Sequence, residues 1–125
     1  MTTILSRNNE TFIASVDLRL DQFKFVKLVT NADNTVTLTN GSAEQSIGIL
    51  LVPGDADTAV TVTTHGRTAA IAAEAITRGQ PIASNGAALA IPADNTGDII
   101  MGYALESAAI GDLFSIELIQ GGNVV

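Results

Sequence analysis

Residues that favour tight turns recur at short intervals along this chain, and they limit what it can fold into. The clusters of Asn, Asp, Gly and Pro stand at 31–34, 40–41, 53–55, 65–66, 85–86, 95–98 and 111–112. Asn, Asp and Gly tolerate the positive φ angles of hairpin turns. Turns separated by about 8–12 residues are typical of a β-sandwich or a β-barrel. We therefore expect an all-β chain of short antiparallel strands joined by hairpins.

The segments between these turns carry the alternation expected of strands. In 35–39 (TVTLT), Val36 and Leu38 lie on one face and three threonines on the other, and 59–64 (AVTVTT) repeats this arrangement. Period-two alternation with one polar face predicts a strand that is buried on one side. Segment 23–29 (FKFVKLV) also alternates. More continuous apolar runs at 46–52, 98–106 and 112–119 predict central strands.

The alanine-rich segment 68–77 (TAAIAAEAIT) permits two structures. Alanine has the highest intrinsic helix propensity, and this run is long enough for nearly three helical turns. Its bulky residues Ile71 and Ile76 are five positions apart, which does not give a helix one continuous apolar face. We predict a strand followed by a short turn, with a short helix as the alternative.

Segment 1–20 differs from the rest of the chain because polar residues at 8–10 interrupt its alternation. A frayed terminus is one interpretation. Its apolar residues are too many for a solvated tail, however, and an arm that packs on another subunit is the sharper hypothesis. We therefore divide the chain into an extended N-terminal arm, 1–20, and a compact β domain, 21–125. The candidate contact residues of the arm are Phe12, Ile13 and Leu18.

Charge and cysteine content exclude several classes of function. Six basic residues face thirteen acidic ones, giving a formal net charge of −7. This balance repels the phosphates of nucleic acids and the anionic surface of a membrane. The absence of cysteine excludes disulfides, thiolate nucleophiles and Cys-based zinc sites. The sequence has neither a signal peptide pattern nor an apolar run of about 20 residues, so we expect a soluble protein made in a reducing cytoplasm.

No arrangement of residues predicts catalysis. His65, the single histidine, stands in THGR, where we expect a solvated hairpin turn. A general base also needs an orienting partner and a proton to remove. The carboxylates of 55–57 and 94–98 lack the spacing of a calcium loop and fit turn chemistry. Segment 74–91 (EAITRGQPIASNGAALAI) could hold an anion-binding loop at Arg78 and Gly79, but it fits two short strands and turns better. We expect no enzyme activity, cofactor or metal.

With the strands placed, the order of the motifs resembles a known family. The segments FVKLV (25–29), VTLTNGSAEQSIGILL (36–51), AVTVTTHGRTAAIAAEAITRGQPIASNG (59–86) and IIMGYALESAAIGDLFSIELI (99–119) are similar to those of the DUF2190 family of phage capsid cement, or head decoration, proteins. The opening SRNNETFIAS (6–15) looks like that of some members. The resemblance covers about residues 6–119.

The resemblance implies a structural function in the virion. Such proteins bind the outside of an assembled phage head and stabilise it by bridging neighbouring capsomers. The implied partner is the major capsid protein, and the implied location is the outer capsid surface after synthesis in the host cytoplasm. The family implies no catalytic residues. Because short strands and few aromatic residues leave a small core, we also expect self-association, with a homotrimer favoured over a dimer. Phe12, Ile13 and Leu18 are the candidates for contacts with the capsid or a neighbouring subunit.

A small β-barrel that binds a carbohydrate or a peptide is the alternative. Carbohydrate sites usually stack sugars on exposed aromatic rings, and this chain has no Trp and a single tyrosine, Tyr103. The composition therefore favours the capsid protein.

Overall fold

The computed structural model of the chain describes residues 7–119 and 123–125. Nine strands and no helix occur in these ranges, which confirms the all-β class. The strands are β1 (Arg7–Ala14), β2 (Phe25–Leu28), β3 (Thr35–Leu38), β4 (Gly48–Val52), β5 (Ala59–Ile71), β6 (Pro81–Ser84), β7 (Ala90–Pro92), β8 (Gly102–Ala104) and β9 (Leu113–Leu118).

Five strands form a closed barrel in the order β1-β3-β2-β4-β5, because β5 pairs again with β1. The pairing of β1 with β5 is antiparallel and extends from Arg7 opposite Gly66 to Ile13 opposite Ala59. β1 pairs with β3 in parallel, with Ile13 opposite Thr35. The other pairs in the barrel are antiparallel. Closure gives most of the backbone in these short strands a partner on both sides.

The remaining strands extend the sheet from β5 in the order β5-β9-β8-β6-β7. This second part, which we call the curled sheet, bends back so that β7 returns to the end of β5. Ala90 of β7 forms a parallel bridge with Ala72, and the N–H of Ala73 donates to the C=O of Ala90 at 2.8 Å. The curled sheet is therefore nearly closed as well, but through one bridge instead of a full ladder.

Strand β5 belongs to both parts, and Gly66 is the point where it passes from one to the other. Gly66 lies opposite Arg7 of β1 and also opposite Leu118 of β9. Its φ is 92°, which glycine adopts without the steric penalty of a side chain. The prediction of a hairpin turn at 65–66 is wrong. Strands on both sides of β5 supply hydrogen-bond partners there, so the chain continues straight through the glycine.

Each part encloses its own apolar core. The barrel core consists of Ala14, Leu18, Val26, Val36, Leu50, Val60 and Val62. The core of the curled sheet consists of Phe25, Ile49, Ala70, Ala72, Ile76, Ile82, Ala88, Ala90, Met101, Ala104, Phe114, Ile116 and Leu118. Phe25 and Ile49 lie on barrel strands β2 and β4, so the two cores meet at one end of the barrel.

The predicted strand in segment 68–77 is confirmed, and the helical alternative does not form. Residues up to Ile71 continue β5, and each residue from Gly66 to Ile71 has a partner on β9. A bend follows at 73–74. Cross-strand pairing and burial of Ala70 and Ala72 therefore outweigh the intrinsic helix propensity of alanine.

The N-terminal segment differs from the arm expected outside the β domain. Residues 7–14 are strand β1 and close the barrel, whereas residues 1–6 lie outside the described residues. The polar interruption at 8–10 coincides with a shift of register between Asn8 and Asn9, where β1 opposes one extra residue of β5. The extra residue lies in β5, so this β-bulge breaks the alternation of β5 and not that of β1. On β1, Asn9, Glu10 and Thr11 are exposed in succession, and this run of polar residues made the sequence resemble an arm.

Candidate functional site

The exposed large apolar side chains fall mainly into two groups, one on each part of the fold. The distal end of the barrel, opposite the curled sheet, consists of the loops 15–20, 29–34 and 53–58 with the adjoining strand ends. Its exposed apolar residues are Ile13, Val16, Leu20, Leu28 and Val52. The second group, which we call the outer face, lies on the curled sheet. Its apolar residues are Ile71, Tyr103, Leu105, Ile110 and Leu113.

Backbone hydrogen bonds fix the loops of the distal end against each other. The N–H of Ala14 donates to the C=O of Thr58 at 3.0 Å, and the N–H of Asp57 donates back to the C=O of Ala14 at 2.8 Å. The N–H of Leu18 donates to the C=O of Gly54 at 2.9 Å, and its side chain is fully buried in the barrel core. Anchoring Leu18 in this way leaves Leu20 93% exposed.

The rim of the distal end is acidic. Arg19 forms a two-point contact with Asp17, with Nε to Oδ1 and Nη2 to Oδ2 both at 2.9 Å. The side-chain hydrogen bond from Arg19 holds the pKa of Asp17 below its ordinary value, and the same bond raises the pKa of Arg19. Asp33, Asp55 and Asp57 add three more carboxylates to these loops. One arginine therefore faces four aspartates, and this end carries net negative charge.

The structure separates the three residues predicted to contact a capsid or a subunit. Leu18 is core and cannot reach another protein from its position in the barrel. Phe12 is half-buried and packs against the same core. Ile13 is 37% exposed at the distal end and remains available for contact. Leu18 was predicted as a contact residue because it lies in segment 1–20, whose alternation is interrupted, and its anchor at Gly54 lies 36 positions away.

Strand register assembles the outer face from residues that are distant in sequence. Ile71 of β5 lies opposite Leu113 of β9, and Tyr103 of β8 lies opposite Glu117. The N–H of Leu105 donates to the C=O of Ser115 at 2.9 Å. Successive side chains of a strand point to opposite faces. Because the intervening Phe114, Ile116 and Ala104 are buried in the core, these residues point away from it.

The loop between β8 and β9 completes the outer face and is firmly held. The N–H of Gly111 donates to the C=O of Ala72 at 2.7 Å, and Ile76 and Ala108 exchange two backbone hydrogen bonds of 2.9 and 3.0 Å. Glu106 accepts the N–H of Ser115 at 2.9 Å, and hydrogen bonding with Ser115 lowers the pKa of Glu106. Ile110 is thus 71% exposed on an ordered loop. No strand or turn pattern in the sequence indicated this surface, although an isoleucine beside the turn at 111–112 was a usable signal.

Other features of the described residues give little support for chemistry or ligand binding. The acidic pairs serve their own turns, since Asp55 accepts the N–H of Ala56 and Asp98 that of Asn95. No group of three His, Cys, Asp or Glu is close enough to hold a metal ion within residues 7–119 and 123–125. Two shallow hollows of about 530 and 490 Å³ lie beside loop 29–34, and neither is lined by an aromatic ring for a sugar to stack on. In the same ranges no helix is suited to crossing a membrane.

Sequence comparison places the chain in a family. Residues 23–118 match the profile of a family described as phage cement protein. The chain belongs to the phage cement protein family. The match contains β2 to β9, which are four of the five barrel strands and all the further strands of the curled sheet. Membership gives the chain a structural role associated with the phage capsid. The resemblance seen in the sequence is confirmed.

A solved structure shares the fold of this cement protein. It is the head fiber gp8.5 N base in bacteriophage phi29, with a TM-score of 0.71 and 16% sequence identity. The alignment covers 94% of this chain and 98% of the phi29 chain. At this identity the likeness concerns the fold alone. A search of curated proteins gives no match to the cement protein.

Proposed function

We propose that the chain binds the outside of an assembled phage head and stabilises it by bridging neighbouring capsomers, as a structural component without a catalytic step. The observation that carries this proposal is the family match over residues 23–118. The partner is the major capsid protein. The chain is made in the host cytoplasm and joins the virion at its outer surface, where it acts as a homotrimer in preference to a dimer.

The distal end is the surface we propose for the capsid contact. Ile13, Val16 and Leu20 present apolar side chains on a well-ordered framework, and partly exposed apolar patches of this kind mark interaction surfaces. Its aspartate-rich rim requires a capsid surface with basic groups. Exposed charges are screened by salt, so head binding should weaken as ionic strength rises.

Purified heads that lack the protein provide the test. Heads incubated with the full chain should bind it, as seen by electron microscopy, and should survive heating and osmotic shock better than untreated heads. Failure of the wild-type chain to bind heads, or binding without added resistance, would overturn the proposal.

Paired variants test the distal end separately from head binding as a whole. Val16→Asp combined with Leu20→Asp should weaken head binding at least tenfold, because an apolar contact becomes a buried charge on assembly. The matched control is Val124→Asp, since Val124 is also exposed but bridges Ile99, which packs against the core of the curled sheet. Head binding that is unchanged in the double variant would assign the capsid contact to another surface.

A further inference from the structure

We infer that the outer face is the surface through which each copy of this chain contacts another copy in the oligomer. The inference rests on the self-association contained in the proposed function, and it names the surface responsible. In a trimer, the outer faces of three copies would converge on the three-fold axis. The distal end would then stay free for the capsid.

The first reason is the distribution of ion pairs. Arg19, Lys24 and Lys27, all on the barrel, each pair with a carboxylate at 2.9, 2.8 and 2.6 Å. Among the Lys and Arg side chains that the structure describes, Arg67 and Arg78 alone form no ion pair, and both border the outer face. Arg67 lies opposite Glu117 on β9, and the N–H of Arg78 donates to the Ser107 hydroxyl at 3.1 Å.

These two arginines matter because copies with a net charge of −7 repel each other. The approach of a second copy is least unfavourable where cations form no close ion pair within their own chain. Arg67 meets this condition among the described residues, although its charge acts on nearby Glu106 at longer range. The rim of the outer face also carries exposed carboxylates, Glu74 and Asp112, which form no ion pair in the described part of the chain. The rim therefore holds unpaired charges of both signs, so that the arginines of one copy can meet the carboxylates of the next.

The second reason is the composition and rigidity of the apolar centre. Leu113 is 54% exposed, and it adjoins Ile71 in the strand register. Tyr103, the single tyrosine of the chain, lies in the same row as Arg67 and Glu117. Tyrosine and arginine are the residue types enriched at the centres of protein interfaces, where lysine is depleted. Because most of these residues stand on paired strands, little ordering is required on association.

The alternative partner for the outer face is the major capsid protein, and the charges of the two surfaces argue against it. The distal end carries aspartates with a single arginine, which suits a basic partner of different composition. The outer face carries Arg67 and Arg78 beside four exposed carboxylates, Glu74, Glu106, Asp112 and Glu117, so it offers charges of both signs to a partner that carries both. A second copy of this chain supplies charges of both signs without any further requirement.

The experiment compares the self-association of full-length variants by sedimentation velocity over a range of concentrations. Ile110→Asp with Leu113→Asp should weaken self-association at least tenfold while circular dichroism and the thermal midpoint stay near those of the wild type, since both side chains are exposed. Val16→Asp with Leu20→Asp is the control and should associate as the wild type does.

Charge reversal then tests the pairing itself. Arg67→Glu with Arg78→Glu should abolish self-association, and mixing that variant with Glu74→Arg, Asp112→Arg should restore association between the two variants. Because two variants cannot alternate around a ring of three, the mixture should give mixed dimers instead of complete trimers. Two results would overturn the inference: a wild-type chain that is monomeric both in solution and on heads, or an Ile110/Leu113 variant that associates normally. If that variant associates normally but no longer binds heads, the outer face is the capsid contact. Failure of the wild type to bind heads while the self-association results hold would overturn the proposed function and leave this surface assigned.

Discussion

The barrel and the curled sheet share strand β5, yet they are closed in different ways. The barrel is closed by backbone pairing of β1 with β5 along seven pairs of residues. The curled sheet is closed by the single bridge between Ala72 and Ala90. Its core is correspondingly larger and includes Phe25 and Ile49, which the barrel strands contribute. The barrel therefore closes through its own strands, whereas the curled sheet needs side chains from the barrel strands to complete its core.

The two parts also differ in their exposed apolar residues and in their ion pairs. The barrel exposes apolar residues at its loop end and pairs its described lysines and arginines with its own carboxylates. The curled sheet exposes apolar residues on a strand face, and Arg67 and Arg78 form no ion pair with the part of the chain that the structure describes. Two surfaces of different chemistry suit two different partners, which is how one small chain can bind both a capsid and its own copies.

Deleting residues 2–14 should have the largest effect on this arrangement. Loss of β1 removes the strand that closes the barrel and leaves one edge of β5 without its partner between Ala59 and Gly66. We expect a chain without a cooperative unfolding transition, measured by circular dichroism and by the dispersion of amide resonances. The control lacks only 124–125, which contact the loop 97–99 through the bridge of Val124 with Ile99 and two backbone hydrogen bonds of Val125, and it should fold normally. A folded product after deletion of 2–14 would restore the arm hypothesis.

Gly48→Ala and Gly102→Ala test whether the two parts unfold together. A Cβ at Gly48 would collide with the C=O of Thr63, and one at Gly102 with the C=O of Glu117. Because backbone cannot move aside cheaply, each change should lower the free energy of unfolding by about 3 kcal/mol. Urea denaturation should give one transition in both variants, since Phe25 and Ile49 join the cores.

The control for both is Gly41→Ala, because no atom lies within 4 Å of the added Cβ. Its free energy of unfolding should stay within about 0.5 kcal/mol of the wild type. Two separate transitions in either glycine variant would show that the barrel and the curled sheet are independent units.

Gly66→Ala should have a smaller effect, at the junction itself. The φ of 92° strains an alanine, and we expect a loss of about 1–2 kcal/mol in the free energy of unfolding. Amide hydrogen exchange should become faster on β9 and β1, because both strands pair with Gly66. An unchanged midpoint in urea would mean that the junction can relax to an ordinary strand conformation.

The pH dependence of the free energy of unfolding should be the smallest effect, and it should come from different carboxylates in the two parts. In the barrel, a side-chain hydrogen bond from Lys27 lowers the pKa of Glu44, and in the curled sheet hydrogen bonding with Ser115 lowers that of Glu106. A lowered folded-state pKa stabilises the fold fully above the ordinary value of about 4.3 and loses that stabilisation as pH falls through the folded value. Stability should therefore be insensitive to these groups from pH 6 to 8 and decrease below about pH 4.

The variant Lys27→Met distinguishes the pKa of Glu44 from that of Glu106. It should raise the pKa of Glu44 towards its ordinary value and leave that of Glu106 unchanged, as followed by carbon-detected NMR titration. A parallel change in both residues would contradict the separate hydrogen bonds described for them.

Local patterns in the sequence predict the strands well where each strand has a simple alternation. Segment 35–39 predicted β3 within one residue, and the turn at 85–86 correctly separated β6 from β7. The length of β5 could not be predicted, because a glycine that continues a strand between two partners looks locally like one that ends it. The burial of Leu18 could not be predicted for a similar reason. Its burial depends on a contact with Gly54, and no local pattern reveals a partner so distant in the chain.

The continuity of β5 has a mechanical consequence. Its 13 residues, at about 3.3 Å per residue, make a rod roughly 40 Å long that runs through both parts of the molecule. The hydrogen bonds of antiparallel pairs lie perpendicular to the strands. Tension applied along β5 therefore loads those bonds in shear, so that many must break together instead of peeling apart one by one. A pull from the distal end reaches the curled sheet along a covalent backbone, without crossing a non-covalent joint.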